Sequence, residues 1–340
     1  MIKRIIPLML SCLLLIGCAQ RGANEPAQQT VFAMDTVMSL SVYDGAQADA
    51  LRDAESELSR LDALLDRGAE GSAVYELNTA GAVHSEELAA LLTAAAQIAR
   101  ATGGAFDPTI APVLALWGFG PGGGNYRVPA EDELAAALSA VGMGRVIIDG
   151  ADISLPQGVQ IDLGGIAKGY AGARVRDIFA EHGVTSAIID LGGDVCLLGG
   201  KGDGSPWRVA VRDPADSESF LGVLEARDRF IVTSGVYERY FEENGVRYHH
   251  IIDPATGYPA ASGLVSVSVV CADGPWADAL ATAVSVLGTQ RALALREQLR
   301  ETLPFEFIAL TDEGTVYYTD GLAETFAPNS ESGYDYALLS

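Results

Sequence analysis

Residues 159–200, VQIDLGGIAKGYAGARVRDIFAEHGVTSAIIDLGGDVCLLGG, predict a strand, a glycine turn, a helix and a second strand. The apolar run Val159–Leu163 is the first predicted strand. From Ile166 the apolar residues recur at helical spacing, and Gly183 ends the helix. Ser186–Leu191 is the second predicted strand. Both strands end at a pair of glycines, so the unit places two glycine turns beside two strand ends.

An aspartate stands near the end of each predicted strand, Asp162 in the first and Asp190 in the second, and we expect a ligand there. The glycines at 164 and 165 allow main-chain groups to approach a ligand closely. The N-terminus of the following helix, with Lys168 in its first turn, favours an anion such as a phosphate. The alternative is a plain strand-to-helix turn with a solvated Lys168. The sequence contains neither a P-loop nor a Rossmann fingerprint.

The rest of the chain alternates helical and strand patterns, without a Pro- or Ser-rich linker or an internal repeat. We therefore predict one α+β domain with mixed sheets flanked by helices, and a two-lobed version is the alternative. Predicted helices are Ala46–Leu65, Ser85–Arg100, Glu131–Val141, Pro275–Leu287 and Arg291–Leu299, and Gly68–Asn78 is a predicted loop. Predicted strands are Val31–Tyr43, Trp207–Val211, Leu221–Ala226, Phe230–Thr233, Tyr248–Ile252, Leu264–Cys271, Phe305–Leu310 and Thr315–Tyr318.

The composition limits the classes of partner. Of 340 residues, 49% are hydrophobic, which is enough for a sizeable core, and 45 acidic against 22 basic residues give a formal charge of -23. A nucleic-acid partner is not expected because phosphate binding needs clustered cations. The acidic surface favours solubility.

The N-terminal sequence is typical of a targeting segment. Its apolar run Ile5–Ile16 follows two positive charges and is shorter than the roughly 20 residues that span a bilayer. Leu15–Cys18 resembles a bacterial lipoprotein box. We therefore expect a signal peptide at 1–17, a lipid on Cys18 that anchors the protein to the membrane, and a polar tether at 18–30. An ordinary secretory signal is the alternative, and both place the domain outside the cytoplasm.

The sequence has four cysteines. Cys12 lies in the predicted signal and Cys18 at the predicted lipid site, which leaves Cys196 and Cys271 in the domain. An extracytoplasmic compartment permits a disulfide between these two, but both lie in apolar strand-like runs where buried thiols are equally expected.

Asp278 and Thr282 are four residues apart on the helix after Pro275 and therefore share one face of it. A carboxylate, a hydroxyl and a main-chain carbonyl are hard oxygen ligands that suit Mg²⁺, with phosphate oxygens or water in the remaining positions. The alternative is that Asp278 only complements the helix dipole and Thr282 only packs.

Two histidines lie in the predicted strand Tyr248–Ile252. Strand alternation sends His249 and His250 to opposite faces, so at most one of them points inward. His250 could carry a proton near neutral pH. The alternative is that both histidines lie on the surface and that Asp253 and Thr256 only organise the following turn.

Together, eight short motifs in order closely resemble the ApbE family of FAD:protein FMN transferases. The similarity runs from about Val31 to about Gly321, so we expect a family domain at 31–321 and a C-terminal tail at 322–340. The motifs are Met34-Asp35-Thr36, Gly104-Ala105-Phe106-Asp107-Pro108, Trp117-Gly118-Phe119-Gly120, Asp162-Leu163-Gly164-Gly165-Ile166-Ala167-Lys168-Gly169-Tyr170, Asp190-Leu191-Gly192-Gly193, Thr233-Ser234-Gly235, His250-Ile251-Ile252-Asp253-Pro254 with Thr256-Gly257, and Ala277-Asp278-Ala279-Leu280-Ala281-Thr282.

The resemblance implies an enzyme that cleaves the FAD pyrophosphate with Mg²⁺, transfers FMN to a threonine of an extracytoplasmic acceptor protein in a membrane redox system, and releases AMP. It implies that Asp278, Thr282 and the main chain of Gly165 bind the metal. His250 matches a histidine suggested to assist the reaction, and Asp253 is the alternative base. Positions that match the FAD contacts of the family are Met34, Ala105, Phe106, Asp107, Asp162, Lys168 and Ile252.

One part of the sequence departs from the family pattern. Many members carry an aromatic residue in the loop after the first long helix, where it packs on the flavin or adenine. The corresponding loop here is residues 66–70, Asp-Arg-Gly-Ala-Glu, and it contains no aromatic residue. One stacking contact is thus absent from the pattern, and looser FAD binding is expected.

Two other functions stay open at this point. The same residues could pass FMN to water, which makes an FAD pyrophosphatase, or the protein could be a lipoprotein that only stores flavin. A metal site at the pyrophosphate argues against pure storage. The chain has no obvious threonine acceptor motif of its own, so self-flavinylation is not expected.

Overall fold

The computed structural model describes residues 26–45, 47–216 and 218–340. The predicted signal segment, Cys18 and the tether up to residue 25 lie outside these ranges. Among the described residues, no helix combines the length and the apolar character that crossing a membrane requires.

Seven α-helices are found in the described residues, and the predicted helices are confirmed within a few residues at each end. Residues 73–80 are helical instead of forming the predicted loop, because the Ser72 hydroxyl caps a helix by accepting from the Tyr75 N–H. The helices are α1 Ala48–Leu65, α2 Ala73–Ala80, α3 Glu86–Ala101, α4 Ala111–Trp117, α5 Glu131–Leu138, α6 Ala167–Glu181 and α7 Gly274–Leu299, which is interrupted by non-helical φ/ψ at Gly288.

The described chain also forms seventeen β-strands, most of them short. They are β1 Ala27–Ala33, β2 Thr36–Val42, β3 Ala82–His84, β4 Ile147–Asp149, β5 Asp152–Ser154, β6 Ala187–Asp190, β7 Val195–Leu198, β8 Trp207–Arg212, β9 Phe220–Ala226, β10 Phe230–Gly235, β11 Tyr240–Glu243, β12 Val246–His249, β13 Leu264–Cys271, β14 Phe305–Thr311, β15 Thr315–Thr319, β16 Phe326–Pro328 and β17 Asp335–Leu339.

The largest sheet of the described chain has nine strands in the order β1-β2-β6-β7-β10-β13-β14-β15-β17. Only β15 and β17 pair in parallel, so the predicted mixed α+β architecture is confirmed. Side chains alternate between its faces: Val232 and Val269 join the core beneath α6 and α7, while Ile231 and Val270 join a second core under the small sheet β16-β9-β8. The sheet therefore separates two apolar layers.

The prediction that Val159–Leu163 is a strand is wrong. These residues pair with no strand of the described chain. Instead, the Asn78 side chain acts as a strand neighbour: its Nδ2 donates to the Ile161 carbonyl at 2.8 Å, and its Oδ1 accepts from the Ile161 N–H at 2.6 Å. The Asn78 amide thereby satisfies both backbone groups of the buried Ile161, in the segment that leads into the glycine turn.

Folded strands continue beyond residues 31–321, the predicted bounds of the family domain, at both ends. Strand β1 begins at Ala27, inside the predicted tether. At the other end, the predicted tail at 322–340 contributes β16, which pairs with β9, and β17, which pairs with β15. Phe326 is buried against the second core, so this segment covers apolar surface and is part of the fold.

Cys196 and Cys271 are both buried and free. The two residues lie on opposite sides of β10, where each is paired with Phe230. Their Cα atoms are thus two strand spacings apart, about 9–10 Å, which exceeds the reach of a disulfide. The possible disulfide between them is therefore ruled out by the sheet order.

Candidate active site

A cavity of about 740 Å³ lies where α6, α7 and the glycine turns meet the hairpin tip between β1 and β2. Every site residue predicted from the sequence lines this cavity except Asp253. Its lining includes Met34, Ala105, Phe106, Asp107, Asp162, Gly165, Lys168, His250, Ile252, Asp278 and Thr282. Motifs that are up to about 250 residues apart in the sequence are therefore brought together at one place.

Asp253 is held in the turn that follows β12. Its Oδ1 accepts from the Ala255 N–H at 2.9 Å, and its carbonyl accepts from the Gly257 N–H at 2.8 Å. The turn is fixed to α4 by the Trp117 indole, whose Nε1 donates to the Gly257 carbonyl at 2.8 Å. Asp253 therefore organises the turn, and its position does not support the predicted role as a base.

One end of the cavity is built by the close contact of α6 with α7. A Cβ on Gly169 would lie 2.1 Å from the Gly274 carbonyl oxygen and 2.7 Å from Asp278 Cβ, so only glycine fits there. The same contact brings the Asp278 Oδ2 to 2.9 Å from the Gly169 N–H. Asp278 thus accepts from the first turn of α6, and one of its oxygens occupies part of the helix N-terminus where an anionic ligand was expected.

Gly165 places its main chain against the next turn of α7. A Cβ at this position would lie 3.1 Å from Thr282 Oγ1 and 3.4 Å from the Phe106 ring. Thr282 and Asp278 both line the cavity, as their four-residue spacing predicts. We refer to Gly165, Lys168, Asp194, Asp278 and Thr282 as the metal end of the cavity.

Lys168 lies in the first turn of α6, and its Nζ is 2.7 Å from Asp194 Oδ2. Burial alone would lower the pKa of the Lys168 ammonium, but the charges of Asp194 and Asp278 outweigh this effect and raise it. Burial raises the pKa of the Asp278 carboxyl, and the charge of Asp194 raises it further. This end of the cavity therefore concentrates more buried negative than positive charge.

Asp194 was not singled out from the sequence, which pointed to Asp190 instead. Asp190 Oδ1 accepts from the Gly193 N–H within the turn, and Asp190 does not line the cavity. Gly192, with φ +77°, packs so tightly on Thr36 that any Cβ would overlap it, and this turn directs Asp194 inward. The signal that could have identified Asp194 is its position directly after the pair Gly192-Gly193.

The residues at the metal end fit Mg²⁺. Within the described ranges, no group of three or more His, Cys, Asp or Glu side chains could hold a metal. Asp278, Thr282 and the Gly165 carbonyl offer hard oxygens, which suit Mg²⁺ when substrate phosphates or water complete its shell. Asp194 Oδ1 is buried without a hydrogen-bond partner among the described residues, so additional positive charge here would be favourable.

Two of the predicted FAD contacts use their side chains within the protein. The Asp107 carboxylate is committed to the Thr109 and Met143 N–H groups, each at 2.9 Å, so only its main chain is available to a ligand. Asp162 accepts from the Gly164 N–H at 2.7 Å and pairs with Arg67 Nε at 2.9 Å. Both aspartates therefore shape the loops that line the cavity.

Met34 lines the cavity from the tip of the β1–β2 hairpin. Met34 and Asp35 both have left-handed φ values, 50° and 59°, as a two-residue hairpin turn requires. The Met34 N–H donates to Asp62 Oδ1 at 2.9 Å, which fixes the tip against α1.

His250 is the histidine that lines the cavity, while His249 packs on the other side with its Nε2 3.2 Å from the Ala260 carbonyl. The His250 Nδ1 is 3.2 Å from the Arg239 carbonyl, which can only accept, so Nδ1 carries the proton and Nε2 has a free lone pair. Burial lowers the pKa of His250 to about 4, and the Arg239 charge adds to this effect. His250 is therefore a neutral imidazole at pH 7.

A second cavity of about 440 Å³ adjoins the first and shares Met34, Asp162 and Phe119 with it. It extends between the loop after α1, which contains Arg67, and the glycine-rich loop at 120–123. Nothing in the sequence indicates that these two loops meet, since Gly120 lies 53 residues after Arg67.

Comparisons with known proteins identify relatives of the chain. The family model described as the ApbE family matches residues 34–305. The FAD:protein FMN transferase of Vibrio cholerae is 34% identical over 93% of this chain and 96% of its own length, and that of Treponema pallidum is 35% identical over 82% and 83%.

Two solved structures are similar as well. The crystal structure of the ApbE protein of Thermotoga maritima has a TM-score of 0.81 and 32% identity, covering 88% of this chain and 98% of that one. The apo flavinyl transferase ApbE of Pseudomonas stutzeri has a TM-score of 0.79 and 31% identity, covering 90% and 98%. With the fold, the motifs and the cavity in agreement along most of its length, the chain belongs to the ApbE family.

Proposed function

We propose that the protein is an Mg²⁺-dependent FAD:protein FMN transferase that attaches FMN to a threonine hydroxyl of an acceptor protein and releases AMP. The observation that carries the proposal is the metal end of the cavity, where Lys168, Asp278 and Thr282 meet the Gly165 main chain. The names of the relatives support the transferase reaction, and the chemistry of these residues supports its dependence on Mg²⁺.

The threonine oxygen attacks the phosphorus of the FMN half of FAD, and the bond from that phosphorus to the bridging oxygen breaks. AMP leaves with the bridging oxygen, and the threonine proton passes to a base. The reaction depends on positioning and on neutralising phosphate charge, since phosphoryl transfer needs little covalent help. Lys168 provides a permanent positive charge for this purpose because its raised pKa keeps the ammonium protonated.

His250 is suited to accept the threonine proton. Its Nδ1–H is held by the Arg239 carbonyl, so the free Nε2 is the atom that takes the proton. The Phe119 ring packs against the imidazole in an edge contact, with the two ring centroids 6.2 Å apart. A base with a pKa of about 4 is weak but is available in its neutral form over the whole physiological range.

Asp278, Thr282 and the Gly165 carbonyl would hold Mg²⁺. Bound there, Mg²⁺ would neutralise developing negative charge on the phosphate oxygens of FAD.

We propose further that the enzyme acts outside the cytoplasm, anchored to the membrane by a lipid on Cys18. Its acceptor would then be an extracytoplasmic subunit of a membrane redox system. The N-terminal sequence supports the location and the lipid anchor, because a short apolar run ends in Leu15-Ile16-Gly17-Cys18.

The function is tested by incubating the full chain with FAD and Mg²⁺, with and without a protein that carries a threonine acceptor motif. Chromatography measures AMP and FMN, and flavin fluorescence of the denatured acceptor measures covalent attachment. AMP formed together with a fluorescent acceptor supports the transferase. AMP with free FMN and an unlabelled acceptor would identify a pyrophosphatase, and intact bound FAD would identify a storage protein.

A further inference from the structure

The β1–β2 hairpin presents a pair of apolar side chains to solvent. Phe32 and Val37 lie directly opposite each other in the hairpin and are 72% and 62% exposed. Both project from its outer face, whereas the neighbouring Val31 and Met38 project inward and are buried. Cross-strand neighbours have Cβ atoms about 5 Å apart, so Phe32 and Val37 form one apolar patch, which we call the rim patch.

The rim patch lies next to the candidate active site. Met34, Asp35 and Thr36 belong to the end of the hairpin between the two patch residues, and all three line the cavity. At a strand rise of about 3.3 Å per residue, the Cα atom of Phe32 is about 7 Å from that of Met34. An acceptor protein whose threonine enters the cavity must rest its flanking residues on the rim. The rim patch is within reach of those residues.

The outer edge of β1 carries main-chain groups without partners. β1 is the first strand of the nine-stranded sheet, and no strand of the described chain pairs with its other side. The two-residue turn makes Ala33 and Thr36 a hydrogen-bonded pair, and such pairs alternate along the hairpin. The N–H and C=O groups of Gln28, Thr30 and Phe32 therefore point to the open edge, where the described backbone offers them no hydrogen bond.

This edge also lacks the residues that usually prevent strand pairing between proteins. Charged side chains and proline protect edge strands, but β1 has the sequence AQQTVFA and contains neither. Residues 27–43 contain one charged residue, Asp35, in a chain with a formal charge of -23. The hairpin β11–β12, which also adjoins the cavity, carries Glu242, Glu243 and Arg247 instead. The β1 edge is thus the neutral, open surface beside the cavity.

We propose that the acceptor protein binds the open edge of β1 as an extended segment. The segment pairs with the main chain of Thr30 and Phe32, packs an apolar side chain on the rim patch, and passes its threonine over Met34 into the cavity. In this mode of recognition, main-chain hydrogen bonds provide affinity and side-chain contacts provide specificity. The inference rests on the proposed function, because the substrate must be a protein.

The first test measures the KM for the acceptor and the kcat of FMN transfer. It uses the full chain, FAD, Mg²⁺ and a protein that carries a threonine acceptor motif. Phe32→Asp should raise the KM for this protein about tenfold, with unchanged kcat and unchanged FAD affinity. Leu338→Asp is the matched control, since Leu338 is 51% exposed on β17, the opposite edge of the same sheet. Thermal unfolding checks that each variant is folded.

Thr30→Pro tests the main-chain pairing separately. Proline removes the N–H that faces the open edge, and no hydrogen bond to β2 is lost because Thr30 lies in a non-hydrogen-bonded pair. We expect the KM for the acceptor to rise severalfold, whereas Thr30→Ala, which keeps the N–H, should match the wild type. This pair of variants decides the question even if Phe32→Asp does not fold. In the wild type, the acceptor should also slow amide hydrogen exchange in residues 27–33.

An unchanged KM for the acceptor in Phe32→Asp and Thr30→Pro would overturn the inference. An equal rise in Leu338→Asp, or equal effects of Thr30→Pro and Thr30→Ala, would also overturn it. A wild-type dimer in light scattering that dissociates in Phe32→Asp would assign the edge to a second copy of the chain instead. A wild-type protein that leaves the acceptor unlabelled would refute the proposed function itself, which is a distinct result because it appears before any variant is compared.

Discussion

The metal end and the Arg67 end of the binding cavity are constructed in different ways. At the metal end, Asp278 and Thr282 project from one helix, Lys168 from another, and glycines bring the two backbones into contact. At the opposite end, Arg67 projects from a loop, lies beside a second loop, and depends on one ion pair with Asp162 for its orientation. Helix packing therefore fixes one end, while loop contacts fix the other.

The difference bears on the chemistry. Groups that neutralise a phosphate must be held rigidly, because a displacement of about 1 Å can cost a hundredfold in rate. Two packed helices hold such groups more firmly than two loops joined by one ion pair. Substitutions at the metal end should thus lower turnover more than substitutions at the Arg67 end.

The largest effect is expected for Asp278→Asn. The amide still accepts from the Gly169 N–H but lacks the charge that a metal requires, so AMP release should fall on the order of 10²–10³-fold. Chromatographic measurement of AMP checks this result. Asp177→Asn, on the exposed part of α6, should retain wild-type turnover. Equal turnover in the two variants would show that Asp278 has no part in the reaction.

Gly169→Ala should disrupt the same end through packing alone. Alanine normally stabilises a helix relative to glycine, but here its methyl group would overlap the Gly274 carbonyl and Asp278. We expect the free energy of unfolding to fall by about 3 kcal/mol, together with turnover. Urea unfolding measures the change, and Gly202→Ala, with no neighbouring atom within 4 Å, is the control. An unchanged urea midpoint in Gly169→Ala would mean that the two helices are not in such close contact.

His250→Asn is expected to lower turnover roughly a hundredfold, as loss of a general base does. The pH profile provides a second readout. Because burial lowers the pKa of His250 to about 4, the wild-type rate should stay on its plateau down to about pH 5 and fall only as pH approaches 4. The profile is measured at saturating Mg²⁺, which keeps the Asp278 carboxylate ionised, and under that condition a rate that falls with a midpoint near 6.5 would indicate an exposed imidazole.

The same pKa predicts the pH dependence of stability. Between its ordinary pKa of about 6.5 and the folded value near 4, the unfolded chain binds a proton at His250 that the folded chain does not. The contribution of His250 to the free energy of unfolding is therefore fully present above about pH 6.5 and decreases as pH falls below that value. His250→Asn should lose less stability between pH 7 and pH 5 than the wild type does, as measured by urea unfolding.

The smallest effect concerns the segment that leads to the glycine turn. Asn78→Ala removes both hydrogen bonds to the buried Ile161 backbone and should cost about 2 kcal/mol in the free energy of unfolding. Asn329→Ala also removes two hydrogen bonds, but on the surface where water replaces them. If the two variants lost equal stability, Asn78 would not act as the missing strand neighbour of Val159–Leu163.

The sequence could bring Asp278, Thr282 and Lys168 to one cavity because the information there is local, although it missed Asp194. Asp278 and Thr282 share a helix face, and Lys168 follows a glycine pair at a helix start. Contacts that depend on distant parts of the chain were not predicted: Asn78 is 83 residues from Ile161, and Arg67 meets Asp162 only in the folded chain. The strands in 322–340 were also missed, since their pairing partners come from other parts of the sequence.

A crystal structure of the protein with FAD and Mn²⁺, which gives an anomalous signal where Mg²⁺ does not, would test the two-ended cavity most directly. We predict an anomalous peak bounded by Asp278, Thr282 and the Gly165 carbonyl, with the pyrophosphate beside Lys168. A metal or pyrophosphate located in the second cavity would contradict the account.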